Sequence, residues 1–203
     1  MSNTYGKFYG YTGVFPIIRD DKLEVSHAVE LRRVLSELNS GGGSIFSRTG
    51  LVHGARMFVL DDVVYNGHPT KEEHLDYEYL ILSLTFDGAL DEMAQRLNQY
   101  GGEELELIFG HCYGFANRDT SKDGMLKFLQ QGQVTTSFLY VEADGDLKET
   151  LRALWAKKVV GEMLEKAQGV STEQKRALVK EAADRIESAT LPLPGDFQLG
   201  EVL

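Results

Sequence analysis

Apolar residues fall on alternate positions most regularly in YEYLILSLTF, residues 77–86, where Leu80, Leu82, Leu84 and Phe86 point one way and Tyr79 and Ile81 the other. That two-residue repeat predicts a strand. Residues 54–62 (GARMFVLDD), with Arg56, Phe58 and Leu60 opposing Met57 and Val59, predict a second. Residues 8–18 (FYGYTGVFPII) predict a third, with Pro16 marking a sheet edge or a strand end because it donates no ladder hydrogen bond. Residues 105–115 (LELIFGHCYGF) and 134–142 (VTTSFLYVE) read as further strands, and 44–48 as a short one. Between them the repeat changes to helical spacing. Ala28, Leu31, Leu35 and Leu38 make one stripe over residues 26–39, with Ser26 as N-cap. Leu90, Met93, Ala94 and Leu97 make another over 89–100, with Asp87 placed to cap it and Gly101-Gly102 to end it. Residues 124–131 form a short helix. The glycines at 41–43 stop the first helix, and a loop at 63–76 separates two strands.

Past residue 146 the pattern is helical only. Leu147, Leu151, Leu154, Trp155, Val159, Met163 and Leu164 define a helix over 147–168, and Ser171-Thr-Glu-Gln174 has the spacing of a capping box opening a second over 172–188. Strand–helix–strand twice over is the ferredoxin-like order. The expected fold is therefore α+β: a ferredoxin-like antiparallel sheet over residues 1–145, with 134–142 as an extra strand. A two-helix extension over 146–190 packs on the sheet or on a partner, and an extended tail runs over 191–203. The strands present apolar residues to both faces, whereas two core helices cover one. A second layer is thus expected on the other face: the C-terminal helices, another protomer or a ligand.

Composition narrows the classes. A net charge of −10 argues against nucleic acid or an anionic lipid surface as partner. No stretch approaches the roughly 18 apolar residues of a membrane span. The single cysteine, Cys112, excludes an intrachain disulfide, and MSNTYGKFYGY lacks the charged-then-apolar layout of a signal peptide. These features place the expected location in the cytoplasm.

Two polar residues interrupt otherwise apolar strands. His111 is a candidate acid–base group, weighed against a half-buried histidine bonded to backbone. Arg56 is a candidate for fixing a carboxylate or phosphate, weighed against an ion pair with Asp87 or Asp61 or exposure at a strand end. Cys112 beside His111 points to the opposite strand face and reads as a core thiol. His68, Glu72, Glu73 and His74 carry metal-ligand chemistry at a spacing that fits no zinc signature, so no metal site is assigned. His27 and His53 have no local partner. No phosphate-binding glycine loop, dinucleotide fingerprint, nucleophile elbow or HExxH occurs.

The runs GARMFVLDD, YLILSLTFDG and IFGHCYGF resemble ferredoxin-like proteins of the dimeric α+β barrel group, distantly related to dye-decolorising-type peroxidases. The resemblance covers roughly residues 54–131. It implies a ferredoxin-like sheet, sheet pairing within or between chains, and haem or peroxide chemistry of an oxidoreductase kind. The peroxidase haem signature, a glycine followed two residues on by Asp-Gly, does not occur, and SKDG at 121–124 is a poor substitute.

Two functions follow as expectations. One is a small-molecule-binding protein or enzyme. Its pocket lies between sheet and helices, with Arg56 and His111 as polar contacts and Phe58, Leu82, Phe109 and Tyr113 as lining. The other is a non-catalytic assembly subunit that docks on a partner or on a second copy through the C-terminal helices and tail.

Overall fold

The computed structural model describes residues 3–39, 44–68, 71–119, 123–142, 145–191 and 193–194. The chain divides into two compact units, Met1–Glu142 and Ala143–Leu203. The first unit contains, in order, β1 (Thr4–Tyr5), β2 (Phe8–Pro16), α1 (His27–Asn39), α2 (Ile45–Thr49), β3 (Val52–Leu60), β4 (Tyr79–Asp87), α3 (Leu90–Phe109), α4 (Gly124–Gly132) and β5 (Gln133–Val134). The second contains α5 (Leu147–Lys166) and α6 (Thr172–Glu187).

The sheet of the first unit is antiparallel. Its order is β1-β2-β4-β3, with β5 also paired to β2. The pairing register brings Tyr11 opposite Leu84, Phe15 opposite Leu80, Ala55 opposite Leu84 and Met57 opposite Leu82. Side chains alternate along a strand, so these residues share one face. That face carries the core: Tyr11, Phe15, Leu80, Leu82, Leu84 and Phe86 are buried together with Leu31 and Val34 of α1, Met93, Leu97, Ile108 and Phe109 of α3, and Phe128 and Leu129 of α4. Each such side chain contributes about 1.5–3 kcal/mol on burial. The opposite face is mixed. Ser83 and Arg56 are exposed, Val14 and Ile81 are half-buried, and Leu139 packs over Gly10.

Three expected elements take another form. Residues 44–48 are helical, not extended, because Ser44 accepts a hydrogen bond from the Ser47 amide at 3.2 Å and so caps α2, which Gly50 closes in the left-handed conformation. Residues 105–115 are not a strand. The helix expected to stop at Gly101-Gly102 instead kinks at Gly102 (φ 44°, ψ −127°) and continues to Phe109. Leu105, Ile108 and Phe109 are buried while Leu107 is exposed, which is helical spacing within a run that also alternates. What remains of a strand there is a single bridge, Ile17 to Cys112, flanked by hydrogen bonds from Tyr113 N to Pro16 O and from Ile18 N to His111 O. The strand expected over 134–142 is limited to its first residue, Val134, paired with Thr12. The helix starts expected at Ser26 and Ser171 are seen: Val29 N donates to Ser26 Oγ, and Ser171 opens α6 with a full capping box, as Asp146 also does for α5.

In the second unit Val159 and Ala182 are buried between α5 and α6. Trp155 Nε1 donates to the Arg185 carbonyl at 3.4 Å, and Arg185 pairs with Glu162 at 2.9 Å. No helix of the described residues is long and apolar enough to cross a membrane. The glycine stop at 41–43 lies outside the described residues, as does most of the tail, 192 and 195–203.

Candidate functional site

The structure does not bring Arg56 and His111 together. Arg56 lies midway along β3, opposite Ser83 and exposed, with its guanidinium 4.9 Å from the Phe58 ring centre. Neither acid weighed as its partner is free for it: Asp61 pairs with Arg32 and Asp87 with His53. Among the described residues Arg56 makes no ion pair.

His111 follows α3 in a turn. It is half-buried, and its Nδ1 is 2.9 Å from Nδ1 of His27, the first residue of α1, with the rings tilted 64°. One imidazole must donate and the other accept, so the pair shares a single proton between them. Burial, and then the neighbouring His27, hold His111 below the usual histidine range, while Glu30 acts the other way. The two rings are 84 positions apart in the chain, which is why neither had a visible partner in the sequence.

The expected lining residues separate too. Leu82 and Phe109 are core residues with no exposed surface, and Phe109 packs on the rings of Phe15, Phe115 and Phe128. Phe58 lies on the opposite sheet face from Leu82. Tyr113 meets Tyr77 edge-on, and its hydroxyl accepts from the Arg19 amide at 3.2 Å. Cys112 is buried, which pushes its thiol up to about 12 and leaves it a packing group. His74 of the loop cluster binds Asp62 at 2.6 Å rather than Glu72 or Glu73, and Asp62 also accepts from the amides of Val63 and Leu75. The mutual hydrogen bond raises His74 and lowers Asp62 from their ordinary values. Among the described residues no three histidine, cysteine or acidic side chains gather closely enough to hold a metal ion.

A cavity does exist between sheet and helices, at another place. It has a volume of about 510 Å³ and opens beside β3. Leu35 and Leu38 of α1, Ile45 and Phe46 of α2, Ala55 and Met57 of β3, and Ile108 of α3 supply its apolar wall. Ser36, Ser44 and Glu104 supply polar atoms, and Arg56 borders it. The geometry has a local cause. β3 is at the end of the sheet order, where no further strand extends the floor, and Leu35, Leu38 and Met57 stay half-buried. Glu104 is charge-compensated by Arg48, which also donates to the Tyr100 carbonyl at 3.3 Å. No histidine lines the cleft, so it does not fit the haem that the resemblance implies, and no step through haem is derived.

The sequence reading also missed a half-buried His–Asp pair. His53 Nε2 donates to Asp87 Oδ1 at 2.8 Å, and the His53 ring packs edge-on against Phe8 at 5.1 Å. The expected role of Asp87 as a helix cap is not realised: α3 has Ala89 at its N-cap and no side-chain cap bond. His53 sits where the β3–β4 register shifts between Val52 and Gly54. Such a bulge re-aims a side chain out of the regular alternation, and a sequence gives no sign of it.

Comparison of the chain with protein-family models, curated proteins and solved structures finds no match in any of the three.

Proposed function

We propose that the chain is a small-molecule-binding protein whose ligand occupies the cleft beside β3. The observation that carries this reading is the cavity itself. Its 510 Å³ falls in the range of roughly 300–1,000 Å³ typical of ligand pockets, which are mostly apolar with a few polar groups. The ligand class follows from the lining. Burial against Leu35, Leu38, Ile45, Phe46, Met57 and Ile108 rewards an apolar body. The serine hydroxyls offer hydrogen bonds, Arg48 compensates Glu104, and Arg56 at the border turns its side chain to the other sheet face by strand alternation, so the fitting ligand is uncharged. Ala55→Trp tests this directly. An aromatic residue suits a strand and would fill the cleft from its floor. Saturable binding of the neutral fluorophore N-phenyl-1-naphthylamine is expected in the parent chain and at least tenfold weaker binding in the variant. Absence of saturable binding, or binding indifferent to Ala55→Trp, refutes the reading.

The ferredoxin-like assignment belongs with this proposal. With β2, β3, β4 and β5 as the core strands, the order β5-β2-β4-β3 supports a ferredoxin-like relative in which β5 occupies the edge expected for residues 105–115.

A second reading, docking of another copy or a protein partner through the second unit, is favoured by Val160, Leu164 and Val179, which α5 and α6 leave exposed. Removal of residues 190–203, checked by light scattering, is expected to dissociate an assembly built on the tail. An unchanged mass excludes the tail from any such contact.

A further inference from the structure

The face of the sheet turned away from the helices carries its own chemistry. On β4, Ser83, Thr85 and Asp87 alternate with the buried Leu82, Leu84 and Phe86 and therefore share this face. Opposite them on β3 stand Arg56, across from Ser83, and Gly54, across from Thr85. The His53–Asp87 pair closes one end of this row and the exposed Arg56 guanidinium the other. Between them Gly54 has no side chain, and a Cβ built there would meet no atom within 4 Å. The floor is open, polar and bounded at both ends by groups of defined chemistry.

Each end has a consequence. A carboxylate only accepts, so His53 Nε2 must be the protonated nitrogen and the neutral ring keeps its lone pair on Nδ1. Among the described residues no group donates to that nitrogen. It is an acceptor for a ligand hydroxyl, and Asp87 fixes the ring that carries it. Arg56 has five donors, an aromatic ring beneath it and no carboxylate partner among the described residues, which suits a carboxylate or phosphate. Three residues of strand separate the two ends, about 10 Å at strand rise. A single inorganic anion is too short to engage both.

We propose that this row is a second ligand site, distinct from the cleft on the helix side, for an extended hydroxylated oxyanion of sugar-acid or sugar-phosphate size. The anionic group pairs with Arg56, a hydroxyl donates to His53 Nδ1, and Ser83 and Thr85 face the span between.

Titration of ¹⁵N-labelled protein at constant ionic strength tests it, with gluconate, glucose 6-phosphate and hexanoate as probes. The expected result is a saturable shift of the Gly54 amide with gluconate or glucose 6-phosphate, identifying the carboxylate or phosphate arm, and binding at least fivefold weaker for hexanoate, which lacks hydroxyls. Arg56→Gln is expected to weaken binding at least tenfold. His53→Ala is expected to abolish the preference for gluconate over hexanoate. Gly54→Val, which fills the open floor, is expected to remove the response, read in that variant at the amides of Arg56 and Thr85. Should Gly54→Val fail to fold, Arg56→Gln decides alone, since that side chain is exposed and makes no ion pair among the described residues. No saturable shift at Gly54 with either hydroxylated probe, or one unchanged by Arg56→Gln, overturns the site. Ala55→Trp, on the other sheet face, is expected to leave this response intact, so failure of the cleft and failure of this row are separable.

Discussion

Phe109→Ala is expected to lower the free energy of unfolding by about 3–5 kcal/mol, the cost of deleting a large buried ring and leaving a cavity. The ring has no exposed surface and touches those of Phe15, Phe115 and Phe128, and Phe128 also contacts Phe15 and Phe115. Four elements meet at this cluster: β2, the end of α3, the turn after it, and α4. Four aromatic rings in edge and stacked contact cannot collapse around a missing neighbour as a set of aliphatic chains does, so the value should lie in the upper part of that range. Urea denaturation followed by fluorescence or circular dichroism measures it. A loss under about 1 kcal/mol would mean that the segment after Gly102 is not packed as described, since only a site that collapses freely gives so small a value.

The second large effect is expected at Gly13. Two influences compete there. Replacing a strand glycine by alanine removes an entropic cost of about 0.5–1 kcal/mol. Against this, a Cβ at Gly13 would lie 2.6 Å from the Tyr11 hydroxyl and 2.6 Å from the Phe15 ring. Neither neighbour is free to withdraw, because the Tyr11 hydroxyl donates to the Leu129 carbonyl at 2.8 Å and Phe15 is stacked on Phe128 at 4.8 Å. Overpacking of this kind costs about 1–3 kcal/mol, so Gly13→Ala is expected to destabilise by about 1–2 kcal/mol net. The same denaturation measurement checks it. A stabilised variant would show that the two rings shift readily. Gly54, on the neighbouring face with open space beyond it, is the internal contrast: an alanine there meets nothing.

Much of the architecture was legible because it rests on local signals. Alternation along 77–86 located β4, apolar stripes located α1, the first half of α3 and α5, and Ser171 with Gln174 three positions on marked the start of α6. The errors came where two periods coincide. Leu105, Leu107, Phe109 and His111 alternate, but Leu105, Ile108 and Phe109 also fit a helix, and the packing of Ile108 and Phe109 against the sheet decided the outcome. The sites were less legible still. His53 and Asp87 are 34 positions apart and His27 and His111 are 84, so nothing local links them. Arg56 was visible in the sequence as a charge within an apolar strand, yet its surroundings depend on which face of β3 it occupies and on what has taken Asp61 and Asp87.

The topology also bears on how the chain is made. β2 precedes β3, β4 and β5 in the chain, yet it sits inside the sheet, and its partners β4 and β5 come far later in the sequence. Until residues 79–87 have been synthesised, Tyr11 and Phe15 have no sheet neighbour, and Phe8 has only Tyr5 of the two-residue β1. Domains form during synthesis at about 5–20 residues per second, so this oily amino-terminal stretch spends seconds without its partner. A nascent chain of this protein is therefore a natural client for chaperones that hold exposed aromatic segments, and truncation before β4 should yield insoluble material rather than a smaller folded piece.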